Sequence, residues 1–174
     1  MIRFALIYEQ RAEVKTRLRE IRNQPSVRRC MFTDHVISET EHEEWLRRLE
    51  TDYAKQVKVI FEDDKVIGAL AWENVSYVNK TCSWAYYLDE ASRGKGIGLH
   101  CARYALRWAF DSLGMEKVNA GVLAFNGASW KNDLKIGMRE EGRVRSMYVR
   151  DGARVDVVLL GITWEEWGMT QHGI

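Results

Sequence analysis

Proline is nearly absent from this chain. A single one, Pro25, occurs in 174 residues, and no low-complexity tract, internal repeat or linker-like stretch breaks the sequence. A chain of this length without a linker is expected to form one domain with a substantial core. Cysteine is sparse and odd in number: Cys30, Cys82 and Cys101 lie far apart with no CxxC spacing. Neither a disulfide framework nor a zinc site is indicated, and no metal is expected. An excess of one charge sign is missing too. The 26 Lys and Arg residues nearly balance 25 Asp and Glu, for a net charge of +1. That offers no bulk attraction to nucleic acid or to an acidic membrane, and neither is expected as a partner. Long apolar runs are lacking: none approaches the ~18 residues of a membrane span. The run in "MIRFALIYEQRAEV" is too short, and too soon broken by charge, for a signal peptide. A cytoplasmic protein is expected.

What is present has the profile of a globular domain, 46% hydrophobic and 29% charged, with seven tryptophans that are core material first. Two stretches carry a helical period. In "RAEVKTRLREIRNQ" (11–24), Val14, Leu18 and Ile21 share one stripe. "SETEHEEWLRRLE" (38–50) opens with Ser38 and has Glu41 three residues on, a capping-box signature. The period then shortens. "QVKVIFED" (56–63) and "KVIGALAWENV" (65–75) read as a hairpin turning at Asp63-Asp64, and "TCSWAYYLDE" (81–90) as a third strand. A helix is expected from about Ile97 to Leu113. Its inward face would be Gly98, Cys101, Ala102, Ala105, Leu106 and Ala109, and Gly114 would end it. A strand (116–126), a short helix (127–137) and a hairpin (139–163) turning at Asp151-Gly152 complete the order. Helices, three strands, helix, strand, helix and two strands make an α+β chain with a mixed sheet.

Between the third strand and the long helix lies "SRGKGIGLH" (92–100), with three glycines and two positive charges. A glycine turn from strand to helix aims backbone N–H groups and the positive end of the helix dipole at an anion. A P-loop would need GxxxxGK[ST], and a dinucleotide fold would need GxGxxG in an early βαβ unit. The spacing here is GxGxG after a meander. A glycine turn that merely starts a helix is the plain alternative.

The stretch Arg93-Gly94-Lys95-Gly96-Ile97-Gly98 resembles the pyrophosphate loop of the GCN5-related N-acetyltransferases, the GNAT family. Further on, Asn126, Ser129, Lys135, Ile136, Gly137, Met138 and Glu141-Gly142 are similar to the pattern of the family's ribosomal-protein N-terminal branch. The N-terminal "IRNQPSVRRCMFTDHVISETEHEEWL" resembles the PseH-type branch, which acetylates the 4-amino group of a UDP-linked 4-amino-4,6-dideoxy sugar on the way to pseudaminic acid. The matching residues include Arg22, Asn23, Pro25, Arg28, Met31, Thr33, His35, His42 and Trp45. The resemblance implies a single GNAT domain over 1–174, with a mixed, mostly antiparallel twisted sheet, flanking helices and splayed central strands. The acceptor half would be about 1–80 and the acetyl-CoA half about 81–167.

The resemblance also implies roles. Amides of residues 94 to 98 would hold the pyrophosphate of acetyl-CoA, with Arg93 and Lys95 adding charge and Asn126 and Ser129 bordering the cosubstrate. The pantetheine arm would lie along "WAYYL", and the N–H of Tyr87 or Leu88 would polarise the thioester carbonyl. Most family members carry a Tyr at the position of Asp133 as the acid to the sulfur. An aspartate is ordinarily ionised and a poor donor unless buried, so Ser129, one turn earlier, is the candidate donor. Glu73 is the candidate base, directly or through water, against the plain reading of an exposed strand glutamate. The family's acidic positions before Asn126 read Gly121 and Ala124 here. Arg22, Asn23, Arg28, Met31, Phe32 and His35 are the candidate acceptor contacts: Met31 and Phe32 for a uracil ring, Arg28 and Arg29 for phosphates. Ordinary core or surface roles stay open for each. Three functions follow: a nucleotide-sugar N-acetyltransferase acting in a ternary complex, a protein N-terminal acetyltransferase, and a non-catalytic acyl-CoA-binding module. A homodimer stays open.

Overall fold

The chain opens on a strand that its sequence does not announce. In the computed structural model, which describes residues 1–172, β1 (Ile2–Leu6) pairs antiparallel with β2 (Gln56–Glu62), Ile2 opposite Glu62 and Leu6 opposite Lys58. Five residues are too few for alternation to show, and the partner lies fifty residues away. Helices α1 (Ala12–Arg22), α2 (Pro25–Arg28) and α3 (Glu39–Leu49) separate the two strands. The lone proline occupies the first position of α2, where a missing N–H costs nothing. Ser38 caps α3, its hydroxyl accepting from the Glu41 N–H at 3.2 Å, as the capping signature implied.

Strands β3 (Lys65–Ser76) and β4 (Thr81–Leu88) extend the meander. Helix α4 (Ile97–Arg107) continues as a π-type turn over Trp108–Ser112 and leads to β5 (Lys117–Leu123). The expected long helix is therefore two segments. Helix α5 (Gly127–Lys135), the hairpin of β6 (Arg139–Arg150) and β7 (Ala153–Thr163), and α6 (Trp164–His172) complete the chain. The α6 helix is a further element absent from the sequence reading. Asp151 and Gly152 turn the last hairpin with positive φ at both positions, the primed geometry that suits strand twist. The seven strands form one sheet in the order β1-β2-β3-β4-β5-β7-β6, antiparallel throughout except for β4 and β5. No helix among the described residues is long and apolar enough to cross a membrane.

The sheet divides the core in two. On one face, Cys101, Ala102, Ala105, Leu106 and Ala109, all without solvent exposure, pack on Leu70, Trp72 and Trp84. The Trp72 indole donates to the Ala105 carbonyl at 3.1 Å, tying sheet to helix. On the other face, Leu18 and Leu49 cover Val57, Val59, Phe61 and Ala69.

One lysine is caught in the first of these cores. Lys58 is 4% exposed, with Nζ 2.9 Å from the Trp108 ring centroid and 2.7 Å from the Tyr104 hydroxyl. A desolvated cation–π contact is worth about 2 kcal/mol. Burial outweighs it and pushes the ammonium down to about 8, opposed weakly by Glu9. The protonated form is thus disfavoured by folding. Its penalty is complete below pH 8 and is relieved as pH rises from about 8 towards 10.5. Denaturant titrations of wild type and Lys58→Met should therefore show wild type gaining stability relative to the variant between pH 7.5 and pH 10. A gap that moves the other way would mean that the aromatic cage stabilises the cation more than burial penalises it.

Candidate active site

Strands β4 and β5 are parallel neighbours for three residue pairs only, Thr81–Lys117, Cys82–Val118 and Ser83–Asn119. Beyond Ser83 they part. The Asp89 N–H donates to the Ile67 carbonyl at 2.7 Å, and the Leu88 carbonyl points the other way, accepting the Arg93 guanidinium at 3.1 and 3.3 Å. Backbone alternation then sets the Tyr87 N–H towards β3 and those of Tyr86 and Leu88 towards the gap. The gap is a cleft lined by Cys30, Met31, Phe32, Trp84, Ala85, Tyr86, Ala120, Gly121, Val122, Asn126, Ser129 and Asp133.

The glycine loop stands at the end of β4. Gly94 and Gly96 have φ of +77° and +78°, and Gly96 caps α4 in the left-handed region. No Cβ at either position would meet an atom within 4 Å. Backbone conformation, not lack of space, selects glycine here. Arg93 N–H donates to Glu90, and the first α4 bonds run from Leu99 and His100 to the Gly96 carbonyl. Among the described residues, the N–H groups of 94 to 98 have no backbone acceptor, an arrangement that receives an anion. Lys95 reaches Glu62 at 3.9 Å on the exposed rim.

Helix α5 forms one wall of the cleft. Asn126 caps it, Ser129 follows in the first turn, and Asp133 lies one turn further. Asp133 is 1% exposed and its Oδ1 has no hydrogen-bond partner. Burial pushes its carboxyl up to about 7. The Trp84 indole N–H, buried on the facing strand, also lacks a partner. Tyr86 stacks on Trp84, and its hydroxyl meets Asn132 Nδ2 at 3.4 Å. A Cβ on Gly98 would come within 2.7 Å of that hydroxyl, so the glycine lets α4, α5 and β4 converge.

The opposite wall comes from the segment after α2. Phe32 stacks on Tyr148 with ring centroids 5.0 Å apart, and its edge fills the space beside Gly121, where a Cβ would sit 3.4 Å away. Buried Arg150 holds this segment to β6, donating to the carbonyls of Met31 at 2.5 Å and Phe32 at 2.7 Å. Buried Arg22 donates to the Thr33 carbonyl at 2.7 Å and to its hydroxyl at 2.9 Å. Asn23 makes a reciprocal pair with the Ile37 backbone at 2.8 and 2.9 Å, and Arg28 donates to the Asp34 carbonyl at 2.8 Å.

Comparison with known proteins accounts for this layout. The family described as an acetyltransferase (GNAT) domain matches residues 9–139. The chain belongs to the GNAT acetyltransferase family. It is 32% identical over 133 residues to the SPbeta prophage-derived uncharacterized N-acetyltransferase YokL of Bacillus subtilis, covering 75% of this chain and 73% of that one. It is 27% identical over 110 residues to the acetyltransferase PseH of Campylobacter jejuni, covering 63% of this chain and 67% of that one. Among solved structures, spermidine N-acetyltransferase from Vibrio cholerae, in complex with CoA and spermine, superposes with a TM-score of 0.88. That match covers 95% of this chain and 97% of that one, at 18% identity. This GNAT protein is an acetyl-CoA-dependent N-acetyltransferase with a mixed seven-stranded sheet.

The residues anticipated from the sequence divide in the GNAT structure. Leu88, Arg93 to Gly98, Asn126 and Ser129 surround the anion-receiving loop and the cleft, and Met31 and Phe32 line the cleft's other wall. Six candidates are placed otherwise. Tyr87 turns its N–H to β3 and its hydroxyl to the Leu18 carbonyl at 3.5 Å, on the far face, where burial raises its pKa. Glu73 pairs with Lys55 and does not line the cleft. Arg22 and Asn23 are scaffold for the 31–37 segment, because their polar groups are engaged by its backbone. His35 pairs with Glu41 at 2.7 Å on the exposed rim. Arg28 braces the same segment while keeping part of its surface. Sequence reading missed Tyr86, Trp84, Cys30 and Arg150. The strand alternation of "WAYYL" held the signal for the first two. Nothing local marks Arg150, whose partners on the cleft wall, Met31 and Phe32, lie more than a hundred residues away.

The groups present fit acetyl-CoA. Free amides at 94 to 98 suit its pyrophosphate, and the unpaired strand edge at Tyr86 and Leu88 suits its amide-bearing arm. When bound, it supplies an activated acetyl group at the cleft. Gly96→Asp should lower acetyl-CoA affinity by well over tenfold in calorimetry, whereas Gly96→Asn, which tolerates the left-handed backbone, should lose several-fold less. Equal and undiminished binding by both variants would remove the loop from the cosubstrate site.

Proposed function

We propose that this acetyltransferase modifies the 4-amino group of a UDP-linked 4-amino-4,6-dideoxy sugar. The observation that carries the reading is the acceptor wall of the cleft. Phe32 is 43% exposed although it stacks on Tyr148, and it stands beside Met31 over the gap between β4 and β5. A flat, soft surface of this kind suits a nucleobase. The lining supports an anionic acceptor over a polyamine. Its one carboxyl, Asp133, lies on the α5 wall, and burial pushes it up to about 7, so that its negative charge is weakened. Arg28 and Arg29 stand on the segment leading to the cleft. Arg29 makes an exposed pair with Asp151 at 3.2 Å, which a diphosphate can displace at little cost, and its guanidinium lies 5.4 Å over the Phe125 ring, a contact that leaves its charge available. The 27% likeness to PseH points the same way.

In this reading, residues of about 1–80 supply most of the acceptor side, buttressed by Tyr148 and Arg150 of β6. Residues of about 81–167 hold acetyl-CoA. The Leu88 N–H polarises the thioester carbonyl, an oxyanion-type contact. Holding amine and thioester together in the cleft supplies much of the acceleration by itself.

UDP should compete with the acceptor in steady-state assays. A Met31→Ala, Phe32→Ala double variant should raise KM for the acceptor at least tenfold while acetyl-CoA affinity holds, since each lost base contact is worth about 1–3 kcal/mol. If UDP neither binds nor inhibits and a peptide N-terminal amine is acetylated efficiently, the protein N-terminal reading replaces this one. Efficient turnover of spermidine would overturn the charge argument.

A further inference from the structure

We infer that Asp133, whose buried and unpartnered carboxyl lines the cleft, is the proton donor to the leaving sulfur. The inference rests on acyl transfer in this cleft but not on the identity of the acceptor. The carboxyl lines the same cleft as Ser129 and Tyr86, is 1% exposed, and has Oδ1 buried with no partner. A carboxylate left like this costs several kcal/mol, so the group rests as the neutral acid or meets a ligand. Three features of the surroundings favour the acid. No cation pairs with Asp133 among the described ion pairs. It lies in the last turn of α5, where the helix dipole opposes negative charge. The N–H groups of Ile136 and Met138 go to its backbone carbonyl and not to its carboxyl, and the Tyr86 hydroxyl, close enough to feel its charge, has its own ionisation suppressed by burial.

The other donors in the cleft are weaker acids. Ser129 offers an unactivated hydroxyl. Tyr86 has its pKa raised, chiefly by burial. With burial holding it near 7, Asp133 is the strongest acid lining the cleft, yet a large share of it, about half, stays protonated at neutral pH. In the transfer, the amine nitrogen bonds to the acyl carbon and the carbon–sulfur bond breaks with its electron pair on sulfur. The Asp133 proton goes to that sulfur. The surplus proton of the amine leaves to water, and water returns one to Asp133, so the balance closes without a further reactant.

Asp133→Asn keeps the shape and removes the acidic proton. The variant's kcat, read with any amine that the enzyme turns over, should fall by about 10²-fold or more, with acetyl-CoA affinity by calorimetry within about threefold. Wild-type kcat should decline as pH rises through about 7, and the residual activity of the variant should lack that decline. A second readout needs no ligand. A carboxyl whose folded pKa is raised loses stability as pH climbs from its unfolded value of 3.8 towards about 7. Melting of the unliganded proteins should therefore show Asp133→Asn gaining on wild type between pH 4 and pH 8. Wild-type kcat in the variant overturns the inference, as does a Ser129→Ala loss larger than that of Asp133→Asn. A melting difference that does not change with pH overturns it independently of activity, and a failed UDP test leaves all of these readouts intact.

Discussion

The organising constraint is the parting of β4 from β5 after three parallel pairs. A continuous sheet would satisfy every backbone group and leave no site. Separation leaves the Tyr86 and Leu88 edges unpaired and opens the cleft between the two strands, with α5 as one wall and the segment after α2 as the other. Parallel strands need a crossover, and α4 is that crossover. Its N-terminus is therefore delivered to the end of β4, where the glycine loop faces the same gap.

Holding the cleft open takes buried polar groups whose partners are mostly backbone. Arg22, Asn23 and Arg150 pin the 31–37 segment from two sides, α1 and β6. Breaking one such contact would leave a carbonyl or guanidinium without a partner, at roughly 1–3 kcal/mol each. The segment carries Met31 and Phe32, so these bonds are what present an aromatic surface to the cleft. Gly121 belongs to the same device. The Phe32 ring edge stands 3.4 Å from where a Cβ would sit, so that strand position and the aromatic wall adjoin across the cleft.

Two buried ionisable groups show how the same desolvation serves different ends. Lys58 lies in an aromatic cage with a hydroxyl partner, far from the cleft, and its charge is an embedded part of the core. Asp133 has no such compensation and lines the cleft. An orphaned carboxyl destabilises the fold when ionised, and in the proposed role it supplies the proton that the transfer needs.

Much of the architecture was legible in the residue order. Period-two stretches marked β2, β3 and β4, the 3.6-residue stripe marked the inward face of α4, and Asp151-Gly152 marked the last turn, because each is a local property of a few neighbouring residues. The glycine loop was legible for the same reason: consecutive amides and positive φ are written into Gly94 and Gly96. Strand β1 was not, since five residues show no clear period without their partner. The division of labour around the cleft was not legible either. A sequence lists Glu73, Tyr87 and Arg22 as chemically able, but strand register turns Glu73 and Tyr87 away and long-range hydrogen bonds occupy Arg22. Asp133 reads as an ordinary ionised aspartate until packing removes its water. Ionisation and orientation depend on what surrounds a side chain in space, and only the tertiary structure decides that.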